Sequence, residues 1–148
     1  MANELLGLDA WLDTVLKGDS ALRAVVGRRV YEGFAPDLDP ITKQAPAYPL
    51  VVFSVVSSPD VNALGARVLT KPLVRIVVIG EGDDYVAIQP GASRIDALVH
   101  NAEPVAVTIG GETFTVKGGV RERAIQKARY ENQRRYNQLG GEYRIYLK

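Results

Sequence analysis

The chain has 148 residues, 18 basic and 17 acidic side chains for a formal net charge of +1, no cysteine, and one histidine, His100. That length predicts a single domain over residues 1–148 with room for a real core. The composition excludes disulfides, cysteine–zinc sites, a cysteine nucleophile and two-histidine metal motifs, and it leaves any serine triad dependent on His100.

In chain order, Leu5, Leu8, Leu12, Val15 and Leu16 recur at helical spacing and predict an amphipathic helix over 3–17, stopped at Gly18. Asp19 or Ser20 caps a short second helix that ends at Gly27. A brief strand over 29–31 precedes a connector, 34–49, whose four prolines argue against any regular element. Long connectors of this kind tend to carry contacts or function. The β-branched and aromatic run 50–56 is a strong strand, 57–70 reads as a loop, and 73–79 is a second strong strand. A helix follows from about Tyr85 or Pro90 to His100. Paired glycines at 110–111 join strands 105–109 and 113–117 as a hairpin. A further segment runs from Val120 to about Tyr130, then a polar loop over 131–139. The last strand covers 143–147, with Tyr143, Ile145 and Leu147 on one face. This order predicts an α+β domain, a mostly antiparallel sheet with helices packed on one face.

No apolar run approaches the ~20 residues of a membrane helix, and the acidic start lacks the basic flank of a signal peptide, so no membrane is expected and synthesis is expected in a cytoplasm. Charge is uneven. Residues 117–148 carry nine Lys/Arg against three Glu, while 1–116 carry nine against fourteen acids. Such polarity suits head-to-tail association or a basic face for a partner. It also suits a merely solvated strand pair.

Little else points to chemistry. A lone histidine at a helix end is ordinarily a surface residue favoured by the helix dipole. Asp83 and Asp84, before a helix, read as N-terminal caps rather than cation ligands, and Asp37 and Asp39 lack a third ligand. Gly80-Glu81-Gly82 lacks the third glycine of a dinucleotide loop and is followed by two acids where a pyrophosphate would sit. No catalytic residue, metal ligand or cofactor site is expected, and the chain is not expected to be an enzyme. The most unusual stretch holds Lys117, Arg121, Arg123, Lys127, Arg129, Arg134 and Arg135, interleaved with Tyr130 and Tyr136. Arginine forks and tyrosine rings there can meet a neighbouring subunit's acids, or phosphates and bases.

Four passages resemble the tail-terminator, or tail-completion, proteins of long-tailed bacteriophages. They are Ala24-Val25-Val26-Gly27-Arg28-Arg29-Val30-Tyr31, the entry Ala47-Tyr48-Pro49-Leu50-Val51-Val52-Phe53, the strand and helix from Val74 to Val99, and the closing Gly140-Gly141-Glu142-Tyr143-Arg144-Ile145-Tyr146. They fall in the family's order and span nearly the whole chain. The resemblance implies a small α+β subunit of a homo-hexameric ring in the virion, at the head–tail junction. The ring caps the tail tube, stops its polymerisation and meets a head-completion or connector protein, with DNA passing its lumen. On that reading Arg121, Arg123, Lys127, Arg129, Arg134 and Arg135 serve subunit or lumen contacts. Asp60, Val61, Asn62, Leu64 and Arg67 serve the tube or a neighbour. The alternatives are a nucleic-acid-binding module using the basic C-terminal region, or another head–tail neck protein.

Overall fold

The computed structural model describes residues 3–148. Helix α1 (Asn3–Gly18) turns Leu8, Leu12 and Leu16 fully inward, each worth about 1.5–3 kcal/mol relative to exposure. Helix α2 (Ser20–Val26) starts where expected. The Asp19 carboxylate accepts the Leu22 amide at 2.9 Å, and Gly27, at φ 61°, closes the helix by donating to Arg23 O. Helix α3 (Gln89–Val99) carries Pro90 in its first turn. Its N-cap is Ile88, which makes no side-chain capping bond. The expected capping by Asp83 and Asp84 is therefore corrected: Asp84 Oδ1 accepts from Val86 N–H, in the turn before the helix.

The strands are β1 (Val30–Glu32), β2 (Leu50–Ser57), β3 (Asp60–Ala63), β4 (Ala66–Thr70), β5 (Leu73–Glu81), β6 (Val105–Ile109), β7 (Glu112–Glu131) and β8 (Arg134–Leu147). They form one sheet. Among the described residues only β1 and β2 pair in parallel; β2–β5, β5–β8, β8–β7 and β7–β6 are antiparallel. The hairpin β3–β4 joins β8 at Leu147 through Thr70. The protein is α+β. Val51 and Phe53 of β2, Val74, Ile76 and Val78 of β5, and Tyr143, Ile145 and Leu147 of β8 share one core with Leu8, Leu12, Leu16, Leu22, Ile95 and Val99 of the helices.

Two expected loops are strands. Residues 57–70 fold mostly into β3 and β4, turned at Leu64 (φ 51°) and Gly65 (φ 79°). The expected polar loop 131–139 shrinks to a turn at Asn132 (φ 51°) and Gln133 (φ 63°), and β8 begins at Arg134. Both turns have the two positive φ values of a two-residue hairpin, but neither has its usual Asn-Gly or Gly-Gly pair. The strand expected over 113–117 and the segment expected from Val120 are one continuous β7, with a register shift between Val116 and Gly118 where they meet. The last strand, expected over 143–147, reaches back through Gly140 and Gly141 to Arg134. A Cβ on Gly140 would overlap the Ile76 carbonyl oxygen and lie 2.8 Å from Val77 Cα. Only glycine allows β5 and β8 to approach this closely.

Candidate assembly surfaces

The basic residues singled out in sequence do gather on the β7–β8 hairpin, but most hold a partner within the chain. A register shift between Arg121 and Arg123 interrupts the ladder. Arg121 reaches Asp96 of α3 at 3.4 Å, and its backbone N–H donates to His100 Nδ1 at 3.0 Å. Arg123 instead donates to Glu142 Oε1 at 2.5 Å, and Arg75 donates to the same oxygen at 2.9 Å. Glu142 is 7% exposed, and its hydrogen bond from Arg75, aided by that from Arg123, holds its carboxyl below the usual range. At the hairpin tip Arg134 faces Glu81 at 3.3 Å, and Arg129 faces Glu131 at 3.5 Å. Arg129 also lies over the Tyr136 ring, which packs against Tyr48. Arg135 donates to Asn137 Oδ1 at 2.8 Å and lies over Tyr85. Lys127 has no ion pair among the described residues.

The pairs that lie on the surface, Arg129 with Glu131 and Arg134 with Glu81, are weak individually, about 0–1 kcal/mol each. The in-chain pairs orient the arginines without neutralising the surface: five of the six named cations stay open to solvent, Arg121, Arg123, Arg129 and Arg134 more than 40% exposed at the side chain and Lys127 exposed.

The β3–β4 hairpin forms a second surface. Asp60, Val61, Asn62 and Leu64 are exposed, and Leu64 stands fully out at the turn. A leucine at positive φ is a costly backbone choice, and it sets an apolar side chain into water. Arg67 contacts Glu4 of α1 and lies 3.7 Å from Asp60, anchoring the hairpin's base to the first helix. Thr70 Oγ1 donates to Asp60 Oδ1 at 2.9 Å.

The connector between β1 and β2 is a third surface, and it is built rather than loose. The Tyr31 hydroxyl donates to Asp39 Oδ2 at 2.7 Å, and Asp39 Oδ1 accepts from the amides of Ile41 and Thr42. These bonds, Tyr31 first, lower the Asp39 pKa; burial and Asp39 push Tyr31 up to about 12. On this frame Phe34, Leu38 and Ile41 are 75%, 62% and 82% exposed. Their sequence signal was available: three large apolar residues set among Asp and Pro in a segment too irregular to bury them. Glu142 and Asp96, by contrast, gave no sequence signal as partners, because both act across strands or from helix to sheet.

Among the described residues no cluster of three or more His, Asp or Glu could hold a metal ion, and no helix is long and apolar enough to cross a membrane. Asp37 and Asp39 do not converge with a third acid. His100 is engaged with the Arg121 amide.

This architecture defines the class of protein, a small α+β domain with a long basic β-hairpin and three helices on the sheet. No family model matches the chain, and no curated protein matches it. Among solved structures it is similar to a chain described as "Virion of native gene transfer agent (GTA) particle", with a TM-score of 0.61 and 18% identity over 90% of each chain. A second solved chain superposes with a TM-score of 0.53 and 14% identity over 95% of this chain and 94% of that one. At these identities the likeness is one of fold.

Proposed function

We propose that this protein is a structural component of a phage-like virion, and within it a tail terminator. Copies close into a homo-hexameric ring that seats on the last ring of the tail tube, stops its growth, and offers its other side to a head-completion or connector protein. The observation that carries the reading is the end-to-end fold likeness to a gene transfer agent virion chain. The ordered passages at Ala24–Tyr31, Ala47–Phe53 and Gly140–Tyr146 support it independently. The action is steric and associative, with no catalysis and no cofactor. Its surfaces are the exposed apolar and charged segments described above, which suit a partner better than water.

In this reading the β3–β4 tip, with Asp60, Val61, Asn62 and Leu64, meets the tube, and Arg67 braces it. The hairpin residues Arg121, Arg123, Lys127, Arg129, Arg134 and Arg135 serve a neighbouring subunit, or DNA in the lumen.

The test is co-assembly. Tube protein polymerised alone should give long, uneven tubes; with this protein present, tubes should stop growing and carry a ring at one end in electron micrographs. Leu64→Asp should weaken capping while leaving the fold intact. Unchanged tube lengths and bare ends at saturating protein would remove the terminator reading.

A further inference from the structure

We infer that the outer edge of β7 between Arg123 and Glu131 receives the connector, residues 33–41, of a second copy of this chain, so that copies join head to tail. This deepens the ring reading and rests on it for closure.

The edge is open for a definable length. Strand β6 covers β7 from Glu112 to Val116. The end of α3 then occupies two more groups: Asn101 N–H donates to Gly119 O at 2.7 Å, and His100 Nδ1 accepts from Arg121 N–H. Past the register shift, from Arg123 to Glu131, no described residue pairs with the outer edge. A row of unpaired backbone donors and acceptors is a template for another chain. On the helix side of this edge lies a cleft of ≈ 300 Å³, lined by Ala92, Ser93 and Asp96 of α3 and by Ala124, Gln126 and Leu139 of the hairpin. An edge strand beside a helix, with a cleft between them, suits a segment that shares a few backbone bonds with the strand and drops apolar side chains into the cleft.

The connector fits as occupant on three counts. It leaves from β1, at the opposite end of the strand order from β7. Pro36 and Pro40 fix their own φ, and Asp39 holds the turn at 40–42, so the connector is already ordered and little ordering remains to oppose binding. Phe34, Leu38 and Ile41 are then free apolar anchors. Its Asp37, and Glu32 at the end of β1 beside it, are opposite in charge to Lys127 and Arg129 of the edge. The two prolines limit the shared backbone bonds to a few, so the anchors carry most of the contact. Pairing β7 with β7 would set like charges together, which leaves a contact between unlike surfaces. Such contacts close into rings or run on as filaments.

Two variants with changes only at exposed positions test this. Lys127→Glu/Arg129→Glu disables the edge; Phe34→Ser/Leu38→Ser disables the connector. By native mass spectrometry, wild type should associate at or below ~1 mM, where weak contacts still register. Each variant alone should be monomeric. An equal mixture should yield heterodimers and nothing larger, because only one junction pairs two intact surfaces. Wild type that stays monomeric at that concentration, a mixture that stays monomeric, or an edge variant that assembles like wild type would each overturn the inference. An edge variant that still forms rings on tube ends would do so while leaving the terminator reading standing.

Discussion

The hydroxyl of Tyr143 donates to Asp96 Oδ1 at 3.1 Å, fastening the last strand to α3 through the core. Tyr143 is almost completely buried, and burial first, then the Asp96 charge, raises its pKa. The two ends of this bond are not equivalent on deletion. Tyr143→Phe removes one bond and leaves Asp96 its contact with Arg121, so it should cost about 1 kcal/mol. Asp96→Ala strands a buried hydroxyl and should cost about 2 kcal/mol. Urea unfolding of both variants checks the order.

Gly140 is where the sheet has no room. Gly140→Ala would drive a methyl group into the backbone of Ile76 and Val77. That backbone cannot move without breaking the β5–β8 ladder, so the loss should be about 3 kcal/mol or more. Gly18→Ala is the matched control. It lies at the end of α1, has no neighbour within 4 Å and does not need a positive φ. It should be neutral or stabilising by up to ~1 kcal/mol. Chemical denaturation of the pair separates crowding from glycine content.

Acid should weaken the protein through Glu142 and Asp19. Both carboxyls are lowered, Glu142 chiefly by Arg75 and Asp19 chiefly by Arg94, which meets it with two bonds of 2.8 Å. The unfolded chain therefore binds protons that the folded chain refuses. Their stabilisation is complete above the unfolded values of about 4 and disappears as pH falls through the folded ones. Glu142→Gln should flatten the acid limb of a stability–pH curve. Asp9 runs the other way. Burial, then Glu32, raises its pKa, and its Oδ1 is buried without a partner among the described residues. Its folded carboxyl prefers the proton, so stability drops as pH rises past the unfolded value. Asp9→Asn should stabilise at pH 7 by about 1 kcal/mol, with the gain vanishing in acid.

Asp39 holds the connector through Tyr31 and two backbone amides. Asp39→Ala should loosen residues 40–46 while leaving the core alone. Limited proteolysis should cut there faster than in wild type, with an unchanged urea midpoint. Equal cleavage rates would mean that the prolines alone hold the segment.

Local pattern was enough for α1, for the Asp19 cap of α2 and for the cores of β2 and β5. Their leucine spacing, capping carboxylate and β-branched runs act within a few residues of themselves. It was enough as well for the Gly110-Gly111 hairpin and for the alternation of Tyr143, Ile145 and Leu147. The turns at Leu64-Gly65 and Asn132-Gln133 were hidden because their first or second residue is not one that favours positive φ; strand pairing imposes the conformation. Charge type along 117–148 was legible, but not that Arg75 and Arg123 share Glu142 or that Arg121 turns toward Asp96. Those partners lie up to 67 residues apart in sequence, and register shifts in β7 decide which face each arginine takes. Whether an edge strand is open depends likewise on where its neighbours stop: β6 ends opposite Glu112–Val116, and the rest of β7 is left to face outward. Helix, strand and cap are short-range balances of sterics and burial that a sequence states directly. Pairing, edge exposure and charge partners are long-range, and only the folded chain resolves them.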